Sequence, residues 1–384
     1  MTIDESGPAT PAPVRTWLAM PMEDAAAKAI ERVRRADDVT YVAVMPDVHL
    51  ASDVCVGTAT ATRRLVYPSA VGGDIGCGML AVAFDAESGI ARDAACAGEI
   101  LRHFTERIPT HRRSRRHAAP LPSHLSPNDL SHPALAATLR DDAQLQLGTL
   151  GGGNHFVELQ ADEDDRLWLM IHSGSRAAGQ AVKGHHLARA TLRSASMLAL
   201  DTATDDGRAY LRDQEWARAY AHANRLAMAA QVIGLLRDRF KIDPVESSLI
   251  TCDHNHVQPE QHFGETLLVH RKGSMPADAG LPGVVPGSMG TASYHVEGRG
   301  CAESLRSSAH GAGRLLSRGA ARERFTRQDL RRQMEHVWYD PRLADALREE
   351  SPGSYKDVRS VMRAQADLVK VVRTLRPLLV YKGR

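Results

Sequence analysis

The sequence predicts an α/β domain in which mixed sheets and helices pack as a single compact unit. Short apolar runs rich in Val, Ile and Ala alternate with longer segments of helical period. No internal repeat or composition break divides the chain, and 384 residues with 43% hydrophobic content suffice for one large core. Many of the apolar runs empty into turns of Gly, Ser, Asn and His, the places where sites in α/β proteins tend to lie.

Residues 1–14, polar and proline-rich, are expected to be a disordered tail, with the domain spanning 15–384. Residues 22–37 carry Ala, Ile and Val among charges at helical spacing and read as an amphipathic helix. Residues 41–44 read as a buried strand ending in Met45-Pro46-Asp47-Val48-His49. A strand at 54–62 precedes the turn Val71-Gly72-Gly73-Asp74-Ile75-Gly76-Cys77-Gly78, and 79–84 reads as the strand that leaves it. A helix is expected over 89–107. The basic run 111–117 reads first as a solvated loop and second as a phosphate contact. Four prolines make 118–133 a loop.

The glycine-rich stretch 148–158 implies a backbone that something approaches closely. A strand at 167–171 delivers His172-Ser173-Gly174-Ser175-Arg176, and helical patterns follow at 178–200 and 209–239. His185 and His186 read as packing or surface residues. Strands at 248–252 and 266–270 follow, the first emptying into Asp253-His254-Asn255-His256. The Gly/Pro-rich run 276–300 fits a loop hugging a ligand. Ala309-His310-Gly311-Ala312-Gly313-Arg314 is expected to open a helix carrying Arg318, and 325–337 and 355–374 read as helices.

The charge is nearly balanced, 48 Lys and Arg against 46 Asp and Glu, so any nucleic-acid surface must be local. Five cysteines without a CxxC pair speak against a disulfide framework and for a reducing, cytoplasmic setting. No apolar run reaches the ~18 residues of a membrane span.

The chemistry concentrates in a few turns. Asp74 and Cys77 pair a hard carboxylate with a soft thiolate, which suits a borderline divalent metal. His155, His172 and His254 lie in similar turns. One Asp, one Cys and three His are enough for two metals that share a bridging ligand. His310 stands apart, among glycines and near Arg314 and Arg318, a setting suited to carrying a phosphoryl or nucleotidyl group. No GxxxxGK[ST] motif is present.

At these residues the chain resembles the RtcB-type RNA ligases, a family that joins RNA ends using GTP and manganese. The resemblance runs from about Met45 to Gly383. It rests on MPDVH at 45–49, GDIGCG at 73–78, GTLGGGNHFVE at 148–158, HSGSR at 172–176 and DHNHV at 253–257. It continues through HRKG at 270–273, PGSMGTASY at 286–294, HGAGR at 310–314, SYKDV at 354–358 and KG at 382–383. It implies an RtcB-like fold. Asp74, Cys77, His155, His172 and His254 match the ligands of two manganese ions, with Cys77 as the bridge. His310 matches the histidine that becomes guanylylated, and Asp47 an acidic residue beside it. Asn154 matches a residue near the nucleotide phosphates. Phe156, Glu158, Ser293, Tyr355 and Lys382 look like the guanine and ribose pocket, and Arg176, Arg314 and Arg318 like binders of phosphate or RNA.

The activity so implied joins a 3′-phosphate or 2′,3′-cyclic phosphate end to a 5′-hydroxyl end through a histidine–GMP intermediate and an RNA-ppG end, in RNA repair or tRNA splicing. The resemblance also implies an archease-like activator. Residues 50–55 and 112–116, with Gly73 and Gly76, depart from the usual family pattern. The competing reading is a dinuclear metal-dependent phosphoesterase, which would need the same metal ligands but not His310, Glu158 or Lys382.

Overall fold

The computed structural model describes residues 10–383. The expected tail over residues 1–9 lies outside them. By Ala12 the chain is already packed, its N–H donating to Arg34 O, and Val14–Thr16 pairs in parallel with Val39–His49.

Two large sheets organise the chain. The first runs, in spatial order, Val14–Thr16, Val39–His49, Val56–Thr62, Glu265–Lys272 and Asn255–His262. The second runs Pro244–Asp253, Gly78–Glu87, Arg166–Ser173, Phe156–Ala161, Val369–Lys382, Ser293–Gly298 and Pro282–Val285, antiparallel throughout. It curls until its outermost strands lie against each other.

The run Met79-Leu80-Ala81-Val82-Ala83-Phe84 is apolar at every position because both faces of its strand are covered. Leu80, Val82 and Phe84 pack under the helices Ala94–Arg107 and Asp205–Leu235 with Ile100, Phe104 and Val232. Met79, Ala81 and Ala83 face the inside of the curl with Trp168, Met170 and Leu375. The long helix Asp205–Leu235 begins where Thr204 caps it by accepting from Gly207 N–H, with Asp205 and Asp206 in its first turn. Among the described residues no helix is long and apolar enough to cross a membrane.

Mixed sheets with helices are therefore observed, and several expected boundaries move. The strand read at 41–44 spans Val39–His49, so Asp47 sits within it. Its ladder breaks between Val44 and His49, where Pro46 has no N–H to donate. The helix expected over 178–200 ends at Arg189. Strands Leu192–Ser194 and Met197–Asp201 then form a hairpin whose turn residues Ala195 and Ser196 both take positive φ. The run 276–300 contributes strands Pro282–Val285 and Ser293–Gly298 as well as loop. HGAGR opens no helix. His310 follows the short strand Ser307–Ala309, and the helix begins only at Arg318. The expected helix at 325–337 shortens to Arg327–Gln333, and the one at 355–374 is helix only over Val358–Ala364. Val369–Lys382 is the longest strand of the second sheet.

Candidate functional site

One edge of the second sheet explains how residues far apart in sequence meet. Antiparallel order brings the end of Pro244–Asp253, the start of Gly78–Glu87, the end of Arg166–Ser173, the start of Phe156–Ala161 and the end of Val369–Lys382 to the same edge. The register is explicit: Asp253 faces Gly78, Gly78 faces Ser173, Phe156 faces His172, and Lys382 faces Phe156. His254, Cys77, His172 and His155 are thus delivered side by side, with Lys382 next in line.

Cys77 Sγ lies 3.3 Å from His172 Nε2 and 3.5 Å from His155 Nε2. His172 Nε2 lies 3.4 Å from His254 Nε2, and His155 Nε2 is 3.0 Å from Asp74 Oδ2. Two three-donor groups result, Asp74–Cys77–His155 and Cys77–His172–His254, each with donor atoms within 4.8 Å of one another and both containing Cys77. Donors about 2.0–2.3 Å from one tetrahedral metal stand roughly 3.3–3.8 Å apart, so these spacings fit a cation with little movement. Second partners fix the imidazoles. The Nδ1–H of His155 donates to Leu150 O at 2.9 Å and that of His172 to Asn154 O at 3.1 Å, leaving both Nε2 lone pairs facing Cys77. Gly174 packs against the Asp74 carboxylate so closely that a Cβ there would lie 2.1 Å from Oδ1.

The electrostatics point the same way. Burial, reinforced by neighbouring histidines, holds His172 and His254 well below their ordinary range, hence neutral as ligands must be. Burial works to raise the Asp74 carboxyl, but the His155 hydrogen bond and charge outweigh it and the net direction is down. Burial, with Asp74 adding to it, pushes the Cys77 thiol well above its usual value, while Arg225 pulls the other way. A thiol in that position becomes a thiolate when a cation is beside it.

His310 stands next to this cluster, its ring centroid 4.6 Å from that of His254. Its Nδ1 is 2.6 Å from Oδ2 of Asp47, a fully buried carboxylate, and its backbone N–H reaches the same oxygen at 3.3 Å. With the Nδ1 proton donated to Asp47, Nε2 keeps its lone pair. Gly313, at φ +74°, lets the chain pass over Asp47, where a Cβ would lie 2.2 Å from the Asp47 carbonyl oxygen.

Asp74, Cys77, His172, His254 and His310 open on one cleft of about 420 Å³. Of the expected residues, Asp74, Cys77, His172, His254, His310, Asn154, Phe156, Glu158, Ser293, Tyr355, Lys382, Arg314 and Arg318 line it; Asp47 and His155 do not line it but contact the lining residues His310 and Cys77. Arg176 does not line it. Its guanidinium donates to Thr149 Oγ1 at 3.2 Å and Thr110 O at 3.0 Å. Glu158 is buried, which pushes its carboxyl up to about 8, while Gln160, donating at 2.6 Å, and the charge of Lys382 work downward. Lys382 Nζ lies 5.7 Å over the Phe156 ring.

The profile of the family described as "tRNA-splicing ligase RtcB" matches residues 29–132 and 123–383. The chain belongs to the RtcB family. It is 36% identical to an "RNA-splicing ligase RtcB" of Escherichia coli K12, covering 97% of this chain and 98% of that one. An E. coli "RNA-splicing ligase RtcB2" is 28% identical over 94% of this chain and 93% of its own length. The "tRNA-splicing ligase RtcB" of Pyrococcus horikoshii is 32% identical over 62% of this chain and 33% of that one.

In this RtcB-family chain several residues that shape the site escape a motif-based reading. Asn224 and Arg225 project from the helix Asp205–Leu235 into three site loops. Asn224 accepts from Gly148 N–H and Thr149 N–H and donates to Ser173 Oγ and Gly174 O. Buried Arg225 donates to Gly76 O at 2.8 Å and Ser173 O at 2.9 Å, joining the turns that present Cys77 and His172. Asn255 ties Asp74 O to Gly273 N–H. An Asn-Arg pair buried in an Ala-rich helix was the available signal. For the buried Glu350, which gathers Lys382, Arg314, Arg318 and Tyr355, the sequence offered none. The basic run proves largely paired: Arg112 with Asp142, Arg115 with Asp141, and Arg113 with the carbonyls of Arg107, Leu147 and Gly148.

Proposed function

We propose that this RtcB-family chain is a GTP- and manganese-dependent RNA ligase that joins a 3′-phosphate or 2′,3′-cyclic phosphate end to a 5′-hydroxyl end. The observation that carries the reading is the His310–Asp47 pair, its free Nε2 opening on a cleft that also holds the two donor groups sharing Cys77.

In this reading Nε2 of His310 forms a bond to the α-phosphorus of GTP as the bond to the departing pyrophosphate breaks. Asp47 holds the imidazole in the reactive tautomer and balances the charge that the ring gains. An RNA 3′-phosphate oxygen then takes the GMP, the P–N bond breaks, and Nε2 is restored. The 5′-hydroxyl finally attacks the activated RNA phosphate and GMP leaves. A cyclic phosphate is opened by water beforehand. Asp74, Cys77, His155, His172 and His254 would hold two manganese ions, which supply neutralising charge for the phosphates when bound. Asn154 lies at the nucleotide phosphates. Phe156, Ser293 and Tyr355 wall the base and ribose, Glu158 accepts from guanine N1–H and N2–H₂, and Lys382 lies over the Phe156 ring. Arg314 and Arg318 face the RNA phosphates. Arg176 acts from behind, through the loop at Thr149. A cytoplasmic setting, supported by five free cysteines, and an archease-like activator complete the proposal.

The test is incubation with GTP labelled at the α-phosphate, in the presence of Mn(II), followed by denaturing separation. Label should stay on the protein; label placed at the γ-phosphate should not.

Nucleotide choice follows from Glu158. Adenine lacks both donors, so it would leave a buried carboxyl unpaired at about 1–3 kcal/mol. GTP should label the protein far better than ATP, and Glu158→Ala should narrow the gap. Equal labelling of the unmutated protein by both nucleotides would refute the assignment. The pH dependence has a defined sign. Glu158 carries a proton below about 8, whereas accepting two donors requires the ionised form. Guanine affinity should therefore rise between about pH 6 and 8, with proton release on binding. Calorimetry in buffers of different ionisation heat would measure the protons released. The same shift lowers stability as pH rises from the ordinary glutamate range toward 8, because only the unfolded chain then ionises freely.

A further inference from the structure

We propose that Glu350 is a positioning residue for guanine specificity: it holds Lys382 away from Glu158 and so keeps the Glu158 carboxylate available to the base. The inference rests on the guanine-pocket reading above and names a residue that the reading does not use.

Glu350 lies in the short turn Ala346–Glu350, outside every motif stretch, and is 2% exposed. Its two oxygens are fully engaged. Oε1 accepts from Arg314 Nη1 at 3.0 Å and Arg318 Nε at 3.3 Å; Oε2 accepts from Lys382 Nζ at 3.0 Å and from the Tyr355 hydroxyl. One buried carboxylate thus anchors four side chains of the cleft wall. Burial opposes its ionisation, yet Lys382, Arg314 and the Tyr355 hydrogen bond outweigh that and keep it charged.

The strand register shows what Lys382 would do if released. Val380 is the direct partner of Glu158, and Lys382 lies two residues further along the same strand, opposite Phe156. Side chains two apart on a strand share a face, and such diagonal neighbours are about 7–8 Å apart, within reach of a lysine. Lys382 and Glu158 are therefore poised to form a diagonal ion pair across the guanine site. Lys382 is the charged group whose field reaches Glu158; its other side-chain partner, Gln160, is neutral. Glu350 competes for that ammonium and holds it at 3.0 Å, with the Phe156 ring beneath. Loss of the Glu350 charge would let Lys382 close on Glu158, ionise it in advance and occupy the oxygens that read N1 and N2.

The probes are guanosine and inosine, which lack phosphates and so leave the metal ligands out of the measurement. Inosine lacks the N2 amine. Binding to the full chain is followed by calorimetry in buffers of different ionisation heat. The unmutated protein should prefer guanosine and release close to one proton near neutral pH. Glu350→Gln, which keeps the size of the side chain but removes its charge and one of its two accepting oxygens, should release far less. It should also lose about tenfold of the preference for guanosine. Adding Lys382→Met should restore proton release, since no cation then competes for Glu158. If Glu350→Gln does not fold, Glu350→Asp, with a shortened but charged side chain, should shift both quantities in the same direction by less. A role confined to stability would lower the melting temperature and leave proton release and base preference unchanged; that result would overturn the inference. If the unmutated protein itself does not prefer guanosine, the guanine reading fails first, and this inference with it.

Discussion

Replacement of His310 by alanine is expected to abolish the protein–GMP adduct while leaving bound metal unchanged. The imidazole touches the metal-type cluster only through a ring contact with His254 and belongs to neither donor group. What it contributes is Nε2, and nothing else in the cleft pairs an imidazole with a buried carboxylate in this way among the described residues. Asp47→Asn should be nearly as damaging, on the order of a thousandfold in adduct formation. An amide can present its N–H to Nδ1 and so favour the tautomer in which Nε2 is protonated and cannot attack. The adduct should be acid-labile and alkali-stable, as a P–N bond is. Persistent labelling of His310→Ala would remove the residue from its assigned role.

The second large effect concerns Cys77. Its sulfur belongs to both donor groups, whereas Asp74 belongs to one. Cys77→Ala should therefore weaken metal binding at both positions, by about a hundredfold or more at each, and Asp74→Ala at one. Metal content by elemental analysis after gel filtration should fall further in the first variant than in the second. Full occupancy in Cys77→Ala would disprove the shared-ligand arrangement. Because burial holds the thiol protonated without a cation, metal affinity should also rise with pH.

The donor set was legible in the sequence because each donor sits where an apolar run gives way to Gly, Ser or Asn. Antiparallel pairing turns those transitions into one shared edge. Two other features hid. Residues 369–374 carry Lys and Arg among Val closely enough to helical spacing to be read as the end of a helix at 355–374, and only pairing with Phe156–Ala161 and Ser293–Gly298 makes 369–382 a strand. The hairpin after Arg189 depends on two positive-φ residues, Ala195 and Ser196, neither a typical turn former. Arg176 is implied as a binder of phosphate or RNA by the family resemblance alone, and its guanidinium is tied to Thr149 and Thr110, contacts that no local motif records. Glu350 acquires its importance only from four partners, three of them more than thirty residues away. No local pattern records such a contact.

The most direct test of the account gives the purified chain, GTP and Mn(II) two labelled RNA pairs that differ only in their ends. A histidine-bound GMP can pass only to a terminal phosphate oxygen, and GMP leaves at sealing, so the phosphate of the new linkage is the one already on the 3′ end. A 3′-phosphate or 2′,3′-cyclic phosphate end should be joined to a 5′-hydroxyl end, and a 3′-hydroxyl with a 5′-phosphate should not. Joining of the second pair but not the first would contradict the account.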